Sequence, residues 1–459
     1  MTVALIEVGG HENIFGPTSL GVQSLKNVLI ANRIETHCLS TEDPAVLLAP
    51  TSRGVAGFVS RHSERLRDIV GISCTSKYLP HAIFLARAVR SGSGGFVILG
   101  GAGPTSAARE IIESFPFIDA VCVGEGEATL LEIVEKQRVL PGDLPSVAGL
   151  AIRGGSNDAV FTRPRPLIED LDRLPVACNS RVIRNGESGE LELLIQLNAS
   201  RGCPGNCSFC ANKVMWGHST RAMSSVSLCR FLAEMTSRHP GHVPKVFFSD
   251  DTFVFPRARI ASFARASRDH GLSVRWTAFA RVADLDRSVI DLMGQSGCET
   301  ITLGIEHTVS SITGLINKPS RRSRIQDTVH RCIGAGIVVR INLIWGWPTE
   351  TCEDFRRLIE YAFELRRLGA LVERISKLVV YPRTPLHARV RDSLRLDAHQ
   401  TRLISSRLAE AGEIVLQRPD AFPNYLFQGF DVEHDEKVDH VTRSGLCLDS
   451  SENIRFQGC

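Results

Sequence analysis

The sequence predicts an α/β fold made of an amino-terminal doubly wound parallel sheet, a partial (β/α)6 barrel and a carboxy-terminal extension. Three observations lead to this prediction. Strand-like and helix-like patterns alternate over residues 1–137, and they alternate again over residues 191–390. A connector punctuated by prolines, residues 138–190, separates the two repeats. The regular pattern fades in the extension, residues 391–459.

The first repeat alternates five strand-like runs with five helical patterns. Short apolar runs predict strands at Val3–Val8, Ile34–Leu39, Ile69–Cys74, Phe96–Leu99 and Ala120–Val123. Patterns with helical spacing predict helices at Leu20–Asn32, Ala45–Leu66 with a break at Pro50, His81–Arg90, Ser106–Ser114 and Ala128–Lys136. An alternation of this length predicts parallel strands with helices on both faces of the sheet.

Small and flexible residues follow three of these strands. Ligands of open parallel sheets bind beyond the carboxyl ends of the strands, and glycines there let a ligand approach the backbone closely. The sequence therefore indicates either a ligand cradle or a set of ordinary turns at Ser73, Thr75, Gly100, Gly101, Thr105, Gly124, Glu125 and Gly126. No G-x-G-x-x-G motif follows the first strand, which argues against a dinucleotide site.

The second repeat contains six strand candidates separated by helical stretches. They are Leu191–Leu197, Lys245–Ser249, Val274–Arg281, Thr300–Ile305, Val338–Trp345 and Ile375–Tyr381. Six strand-helix units are six of the eight that make a full TIM-type barrel, in which chemistry takes place at the carboxyl ends of the strands. The extension begins with a helical pattern at Ala398–Leu416 and contains Cys447 and Cys459, to which the sequence assigns no chemistry.

Composition and charge exclude several classes of protein. The chain of 459 residues is 43% hydrophobic and 22% charged, with a net charge of +3, a balance that does not predict binding to nucleic acid or to an anionic membrane. No apolar run reaches the length of a membrane span, and Glu7 interrupts the first apolar run, which favours a strand over a signal peptide. The 13 cysteines are irregularly spaced, so we expect a reduced, cytoplasmic protein rather than a disulfide framework.

The strongest functional signal is a C-x3-C-x2-C motif directly after the first strand of the second repeat. Cys203, Cys207 and Cys210 place three thiols in one short loop. A zinc site usually needs four ligands, and the nearest further candidates, His218 and Cys229, lack paired spacing. Three cysteines this close to Pro and Gly are also unlike a buried core pattern. A 4Fe-4S cluster normally takes four thiolates, so a loop offering three leaves one iron open for another ligand.

The run "SRGCPGNCSFC" resembles the signature of the radical S-adenosylmethionine (radical SAM) enzymes. The resemblance implies that Cys203, Cys207 and Cys210 hold a 4Fe-4S cluster whose open iron is chelated by S-adenosylmethionine (SAM). It further implies that an electron from the cluster cleaves SAM to give a 5′-deoxyadenosyl radical. The six-strand repeat matches the partial barrel of this family.

The stretches "VILGGAGPT" and "IDAVCVGEGEATLLEIVE" resemble the cobalamin-binding domain that precedes the barrel in many radical SAM proteins. The resemblance implies that the eight strand-end residues of the first repeat named above bind cobalamin. The D-x-H-x-x-G motif that supplies a cobalt-binding histidine is absent, and we expect His11 and His81 to be surface or loop residues rather than cobalt ligands.

Five residues at the later strand ends are candidates for binding SAM. Asp250 lies in "KVFFSDDTF", where the acidic pair that it forms with Asp251 can bind an ammonium group or cap a helix. Arg281, in "WTAFARVADLD", resembles a stretch of relatives and can pair with a carboxylate or with Asp284. The stretch "ITLGIEHTVSSI", which contains Glu306, resembles the family's turn in which a glutamate contacts SAM. Gly346 and Pro348, in "IWGWPTET", resemble the loop beside the adenosyl moiety.

Several neighbouring residues depart from the family pattern or have no role that the sequence supplies. His307 replaces a serine and is either a substrate or proton-transfer residue or an ordinary loop histidine. Arg383 replaces a glycine in "VYPRTPL". Lys318 matches a recurring lysine of relatives. The aromatic residues Trp345, Trp347 and Tyr381 either stack on a substrate or corrin or serve as packing.

The domain order predicts a cobalamin-dependent radical SAM methyltransferase that acts on an unactivated carbon of a small biosynthetic intermediate. The alternatives are a cyclase, a ring-contracting oxidase or another rearrangement enzyme with the same domain pair, and a non-catalytic cobalamin or redox sensor. The expected cofactors are a 4Fe-4S cluster, SAM and cobalamin, with an external electron donor such as flavodoxin or ferredoxin. No residue is assigned as catalytic, and neither nucleic acid nor a membrane is an expected partner.

Overall fold

The computed structural model describes residues 1–9, 18–40, 51–139, 143–318, 321–396, 401–402, 404, 408–428, 433–444, 446–449 and 453–456. These residues form two compact units. The first unit contains Met1–Asn179, Cys210–Gly217 and Val380–Phe427, and the second contains Ser180–Phe209, His218–Val379 and Gln428–Cys459. The chain therefore enters the first unit three times. His11 and Cys459 lie outside the described residues.

A seven-stranded sheet forms the centre of the first unit. Its strands, in spatial order, are Thr36–Ser40, Val3–Val8, Ile69–Cys74, Phe96–Gly100, Ala120–Cys122, Leu150–Arg153 and Ala159–Phe161. The first five are parallel, and the last two pair antiparallel. The strand order reverses between Val3–Val8 and Ile69–Cys74, which confirms the predicted doubly wound sheet and locates its switch point.

Helices cover both faces of this sheet. Longer helices span Leu20–Ala31, Ser52–Arg61, Leu79–Ser93 and Glu127–Val139, and shorter ones span Ala102–Ser106, Ala108–Ser114 and Gly412–Gln417. The Ser19 hydroxyl caps the first helix by accepting from the Val22 N–H. Two apolar clusters fill the space between helices and sheet, one on each face. This is the packing that alternating strands and helices predict.

The connector predicted at residues 138–190 does more than link two domains. It supplies both antiparallel strands of the first sheet, and its part up to Asn179 belongs to the first unit. These strands have four and three residues, too few to show a period. The second predicted strand, Ile34–Leu39, begins later, at Thr36, because residues 32–35 carry the chain from the preceding helix into the sheet.

Six parallel strands form the predicted partial barrel in the second unit. They follow one another in sequence order: Leu191–Leu197, Val243–Phe248, Arg275–Ala280, Cys298–Glu306, Val338–Trp345 and Arg374–Lys377. Cys178–Arg184 pairs at one edge. Along Val338–Trp345 buried and exposed residues alternate, so one face packs against helices and the other lines the concave side.

The helices of the second unit separate these strands, as the sequence predicts. They span Ser225–Ser237, Arg257–Asp269, Arg287–Gln295, Ser310–Leu315, Arg322–Gly334 and Cys352–Arg367, and His434–Arg443 follows the last barrel strand. Aromatic residues fill the layer between helices and strands, where Phe248, Phe253, Phe263 and Trp276 pack against one another. Among the helices of the described residues, none has both the length and the apolar character that crossing a bilayer requires.

The carboxy-terminal extension is divided between the two units. Up to Phe427 it belongs to the first unit, and Ile404, Ile414 and Phe422 contribute to one of its apolar clusters. The later part adds Ile454–Arg455 antiparallel to the sixth barrel strand and Cys447–Leu448 beside it. The extension thus adds apolar residues to a core cluster of the first unit and edge strands to the sheet of the second. The irregular sequence pattern of the extension did not predict either contribution.

Candidate active site

The three-cysteine loop begins at the carboxyl end of the first barrel strand. After Leu191–Leu197, Ser200–Arg201 pairs antiparallel with Arg221–Ala222 and directs the chain across the end of the strand. Gly202 follows with φ +89°, and a β-carbon there would lie 2.0 Å from the Ser219 carbonyl oxygen. Only glycine fits this close backbone approach, so the path of the loop is determined before the first cysteine is reached.

Two of the three thiols lie in the second unit, half-buried beside positive charges. The Gly205 N–H donates to the Cys203 sulfur at 3.4 Å, and a β-carbon on Gly205 would lie 3.1 Å from an Arg281 nitrogen. Burial raises the pKa of the Cys203 thiol, while the Gly205 N–H and the Arg281 charge oppose that rise. Burial likewise raises the pKa of Cys207 against the charge of Lys318. These cations favour the thiolate, the form that binds iron.

The middle of the loop is fixed by the end of the helix Ser310–Leu315. Ser208 donates from its N–H to the Ile316 carbonyl and from its hydroxyl to the Leu315 carbonyl, each at 3.0 Å. The Asn317 side chain donates to the Asn206 carbonyl at 3.0 Å. Phe209 packs edge-to-face on Trp347 with ring centroids 5.2 Å apart. Backbone and side-chain contacts therefore hold the residues on both sides of Cys207.

The third cysteine begins a segment that belongs to the first unit. Residues Cys210–Gly217 lie in that unit, and the helix Asn212–Trp216 packs against the helix Ala102–Ser106. Tyr381 also lies in this unit, and its phenol pKa is raised by burial and by the charge of the nearby Cys210 thiolate. Cys210 and the sheet edge where the sequence predicts cobalamin therefore belong to the same unit.

Asp250 is not positioned for either role that the sequence offers. Its carboxylate is 1% exposed, accepts from the Ala199 N–H at 3.0 Å and from the Ser200 hydroxyl, and lies 3.6 Å from the Arg259 guanidinium. It therefore binds the backbone just before the cluster loop rather than capping a helix or facing the concave side. Its neighbour Asp251 is partly exposed and close enough to influence the Cys203 thiol.

Arg281 forms the ion pair that the sequence left as an alternative. Its Nε and Nη2 donate to the two oxygens of Asp284 at 2.8 and 2.6 Å, a bidentate geometry. This pairing orients the guanidinium, whose charge also reaches Cys203 and Cys207. Arg281 is partly exposed, at 22% of its side chain, so it keeps one face accessible.

Glu306 ends the fourth barrel strand in a strained conformation. Its φ is +66°, and the strand register shifts between Gly304 and Glu306. The carboxylate pairs with the Lys318 ammonium at 2.9 Å. Burial alone would lower the pKa of Lys318, but the charges of Glu306 and Cys207 raise it. A β-carbon at Gly304 would meet both charged groups within 2.9 Å, so the glycine makes room for the pair.

A buried charge network lies below the loop that contains Gly346 and Pro348. Glu350 is fully buried and accepts from the Gly346 N–H at 2.7 Å and from His307 Nε2 at 3.1 Å. The fully buried Lys437 ammonium lies 3.3 Å from the same carboxylate. His307 Nδ1 accepts from the Val309 N–H, so Nε2 carries the proton that is donated to Glu350.

The structure assigns roles to residues whose roles the sequence does not decide. His307 is wholly buried and holds Glu350, which makes it a positioning residue for the Gly346 turn rather than an exposed proton carrier. Trp345 and Trp347 are also fully buried and pack inside the second unit. Neither Glu350 nor Lys437 was predicted as a site residue. The partners lie 87 residues apart, so no local pattern announces them.

The predicted cobalamin cradle lies at the carboxyl edge of the first sheet. Thr75 is exposed there, while Ser73, Gly100, Gly101 and Gly124 are partly exposed. Thr105 is buried, where its hydroxyl donates to the Cys122 carbonyl and accepts from the Gly124 N–H. A β-carbon on Gly124 would meet open space, so this backbone is accessible to a ligand.

Two predicted cradle residues are engaged inside the protein instead. The Glu125 carboxylate accepts from the Ile168 N–H at 2.7 Å and is buried, and Gly126 packs against Leu25. His81 is 4% exposed and packs edge-to-face on Tyr78, so it is a core residue rather than the surface or loop residue that the sequence predicted.

The Gly101→Ala variant is expected to lower the free energy of unfolding by about 1–3 kcal/mol. Gly101 has φ +95° and ψ −176°, a region essentially restricted to glycine, and a β-carbon would lie 2.8 Å from the Cys74 carbonyl oxygen. Urea denaturation measures the change. Gly94→Ala is the matched control, because Gly94 also has positive φ but its β-carbon would meet nothing within 4 Å. Equal losses in the two variants would contradict the crowding argument.

Comparisons with known proteins agree with this architecture. Residues 197–362 match the family model of the radical SAM superfamily, and residues 16–134 match that of the B12 binding domain. An uncharacterized methyltransferase of Pyrococcus horikoshii is 30% identical over 304 residues, 65% of this chain and 64% of that protein. An anaerobic magnesium-protoporphyrin IX monomethyl ester cyclase of Rubrivivax gelatinosus is 25% identical, over 58% of this chain and 48% of the cyclase.

A solved structure shares the fold. The radical SAM methyltransferase TsrM of Kitasatospora setae, determined with a tryptophan substrate and a SAM analogue bound, superimposes with a TM-score of 0.66. The match covers 85% of this chain and 76% of that one at 16% identity. The chain spans 64% of the length of the Pyrococcus relative and 48% of the length of the Rubrivivax cyclase.

Proposed function

Since the chain is a radical SAM protein with an amino-terminal B12-binding domain, we propose that it is a cobalamin-dependent radical SAM methyltransferase. Its substrate is a small biosynthetic intermediate, which it methylates at an unactivated carbon. One observation carries the proposal: the helix that follows Cys210 packs against the helix that contains Thr105, within one compact unit. The proposed cluster ligand Cys210 and the proposed cobalamin cradle therefore belong to the same compact unit.

The residues of the loop fit a 4Fe-4S cluster. Three thiols at C-x3-C-x2-C spacing form the donor set, and the two in the second unit face the charges of Arg281 and Lys318. When bound, the cluster with SAM supplies the radical and cobalamin supplies the methyl carrier, while the protein positions them. A β-carbon on Gly205 would lie 3.4 Å from the Cys203 sulfur, so this glycine leaves space beside the thiol.

The chain's acidic and basic residues suit the zwitterionic end of SAM. We assign the carboxylate role to Asp251 and Glu306 rather than to Asp250, because Asp250 is buried and bonded to the backbone. Arg281 is oriented by Asp284 and suits a carboxylate group. The Gly346 turn, held by Glu350, offers backbone groups to the adenosyl moiety.

The first sheet's edge suits cobalamin. Thr75, Gly101 and Gly124 offer a hydroxyl and accessible backbone at the carboxyl ends of the strands, next to the switch point. The buried Thr105 fixes the Gly124 turn through its hydroxyl. His81 is in the core, so the cobalt would be bound without this side chain.

Anaerobically reconstituted full-length protein, given cobalamin, SAM and a strong reductant, is expected to form both 5′-deoxyadenosine and S-adenosylhomocysteine. The first product reports radical formation and the second reports methyl transfer, so liquid chromatography with mass detection separates them. The matched control omits cobalamin and is expected to retain only 5′-deoxyadenosine. Formation of 5′-deoxyadenosine without S-adenosylhomocysteine in the complete mixture would overturn the methyltransferase proposal.

A radical SAM cyclase is the second candidate, because the Rubrivivax cyclase matches over 58% of this chain. The two candidates predict different products from a given substrate. A methyltransferase product is heavier by one CH2 unit, whereas a cyclase product differs by hydrogens or oxygen only. Both candidates need an external one-electron donor, for which we propose flavodoxin or ferredoxin.

A further inference from the structure

Arg383 lies beside the cobalamin cradle, and we propose that its guanidinium binds the phosphodiester group of cobalamin. The inference rests on the proposed function, since it assigns one residue to a cofactor that the function requires. Arg383 belongs to the first unit, together with the cradle and with Cys210. Its side chain is exposed, and one guanidinium N–H donates to the Thr105 carbonyl at 3.2 Å.

The Thr105 contact places the guanidinium at the accessible edge of the sheet. The hydroxyl of Thr105 accepts from the Gly124 N–H, and Gly124 faces open space. Thr105 therefore connects Arg383 on one side with the glycine turn on the other. A ligand that lies against this turn comes within reach of the guanidinium.

The backbone at Arg383 supports a role for its side chain. Its φ is +61°, in the left-handed region where glycine is free of the strain that any other residue bears. The chain nevertheless has an arginine at this position, immediately before the helix Pro385–Val390 that Thr384 caps. A residue that stays in a strained conformation because of its side chain points to a function of that side chain.

The charge of Arg383 selects the group that it would bind. In the described part of the chain, no carboxylate forms an ion pair with Arg383, and its hydrogen bond to the Thr105 carbonyl uses one of five N–H donors. The remaining donors suit an anionic oxygen acceptor, to which arginine binds with planar geometry. The phosphodiester of the nucleotide loop is the anionic group that cobalamin carries.

The test is equilibrium binding of cobalamin to the full-length protein, followed by the change in corrin absorbance. Arg383→Gly is expected to weaken cobalamin binding by about tenfold to hundredfold, the range for a hydrogen bond to a charged group. Its thermal unfolding midpoint without ligand is expected to be unchanged or higher, because glycine relieves the left-handed strain. Arg383→Lys keeps the charge and is expected to have an intermediate affinity.

Arg33→Gly is the matched control, because Arg33 is also an exposed arginine with positive φ, 58°, in the first unit. It is expected to bind cobalamin like the wild type. Cobinamide, which lacks the phosphodiester, is expected to bind wild type and Arg383→Gly equally. If wild type and Arg383→Gly bind cobalamin with equal affinity, the inference is wrong and the proposed function stands. The same holds if Arg383→Gly loses as much affinity for cobinamide as for cobalamin. Absence of corrin binding by the wild type would overturn the proposed function and the inference together.

Discussion

The Cys203→Ser variant is expected to lose its iron–sulfur cluster and to form 5′-deoxyadenosine only at background level. Cluster irons are held by thiolates, and serine offers a hydroxyl that is a poor substitute. The Cys203 sulfur accepts a hydrogen bond from the Gly205 N–H and lies near the Arg281 charge, and both interactions favour its thiolate form. The replacement removes this sulfur. Iron and sulfide analysis and the visible absorption of the anaerobically purified protein measure the loss.

Cys447→Ser controls for the removal of a thiol elsewhere. Cys447 is the exposed cysteine of the described residues and lies on a short edge strand of the second unit, where it contacts the Arg455 carbonyl. This variant is expected to keep the iron content and the 5′-deoxyadenosine yield of the wild type. A Cys203→Ser protein with full iron content and full SAM cleavage would refute the assignment of the cluster loop.

The barrel could be predicted from the sequence because each of its strands is a short apolar run between helical patterns. Leu191–Leu197 and Val338–Trp345 have the predicted bounds. The cysteine loop was equally visible, since all three thiols lie in one segment of eight residues. Signals of this kind are local: the period of a strand or the spacing of a motif is complete within about ten residues.

Contacts between distant segments could not be predicted in this way. Asp250 precedes a loop and looks like a cap or a ligand, yet its partners Ala199 and Ser200 lie about 50 residues earlier. Lys437 lies in a helix rich in charged residues, and nothing in the local sequence distinguishes it from them. It is nevertheless fully buried, where it pairs with Glu350. In both cases tertiary packing, rather than local pattern, decides which of several identical charges leaves the solvent.

Asp250→Ala is expected to lower the free energy of unfolding by about 3–5 kcal/mol, the cost of leaving one member of a buried ion pair without its partner. The variant removes the acceptor of the Ala199 N–H and of the Ser200 hydroxyl. It also leaves the Arg259 guanidinium, whose side chain is 7% exposed, without its carboxylate partner. Chemical denaturation measures the change. Asp327→Ala is the control, because the Asp327–Arg331 pair is a solvent-exposed contact within one helix and its loss should leave the unfolding midpoint unchanged.

The double variant Asp250→Leu, Arg259→Met separates stability from positioning. Burial raises the pKa of Asp250 and lowers the pKa of Arg259, so desolvation outweighs the attraction between the two charges. Replacing both with apolar side chains should therefore recover much of the lost stability. It cannot restore the two hydrogen bonds that Asp250 accepts from Ala199 and Ser200, and it also removes the one that Arg259 donates to the Ala199 carbonyl at 2.9 Å. Ala199 and Ser200 lead directly into the Cys203 loop. We expect the double variant to fold and yet to retain less iron than the wild type, whereas full iron content would show that the Asp250–Arg259 pair contributes to stability alone.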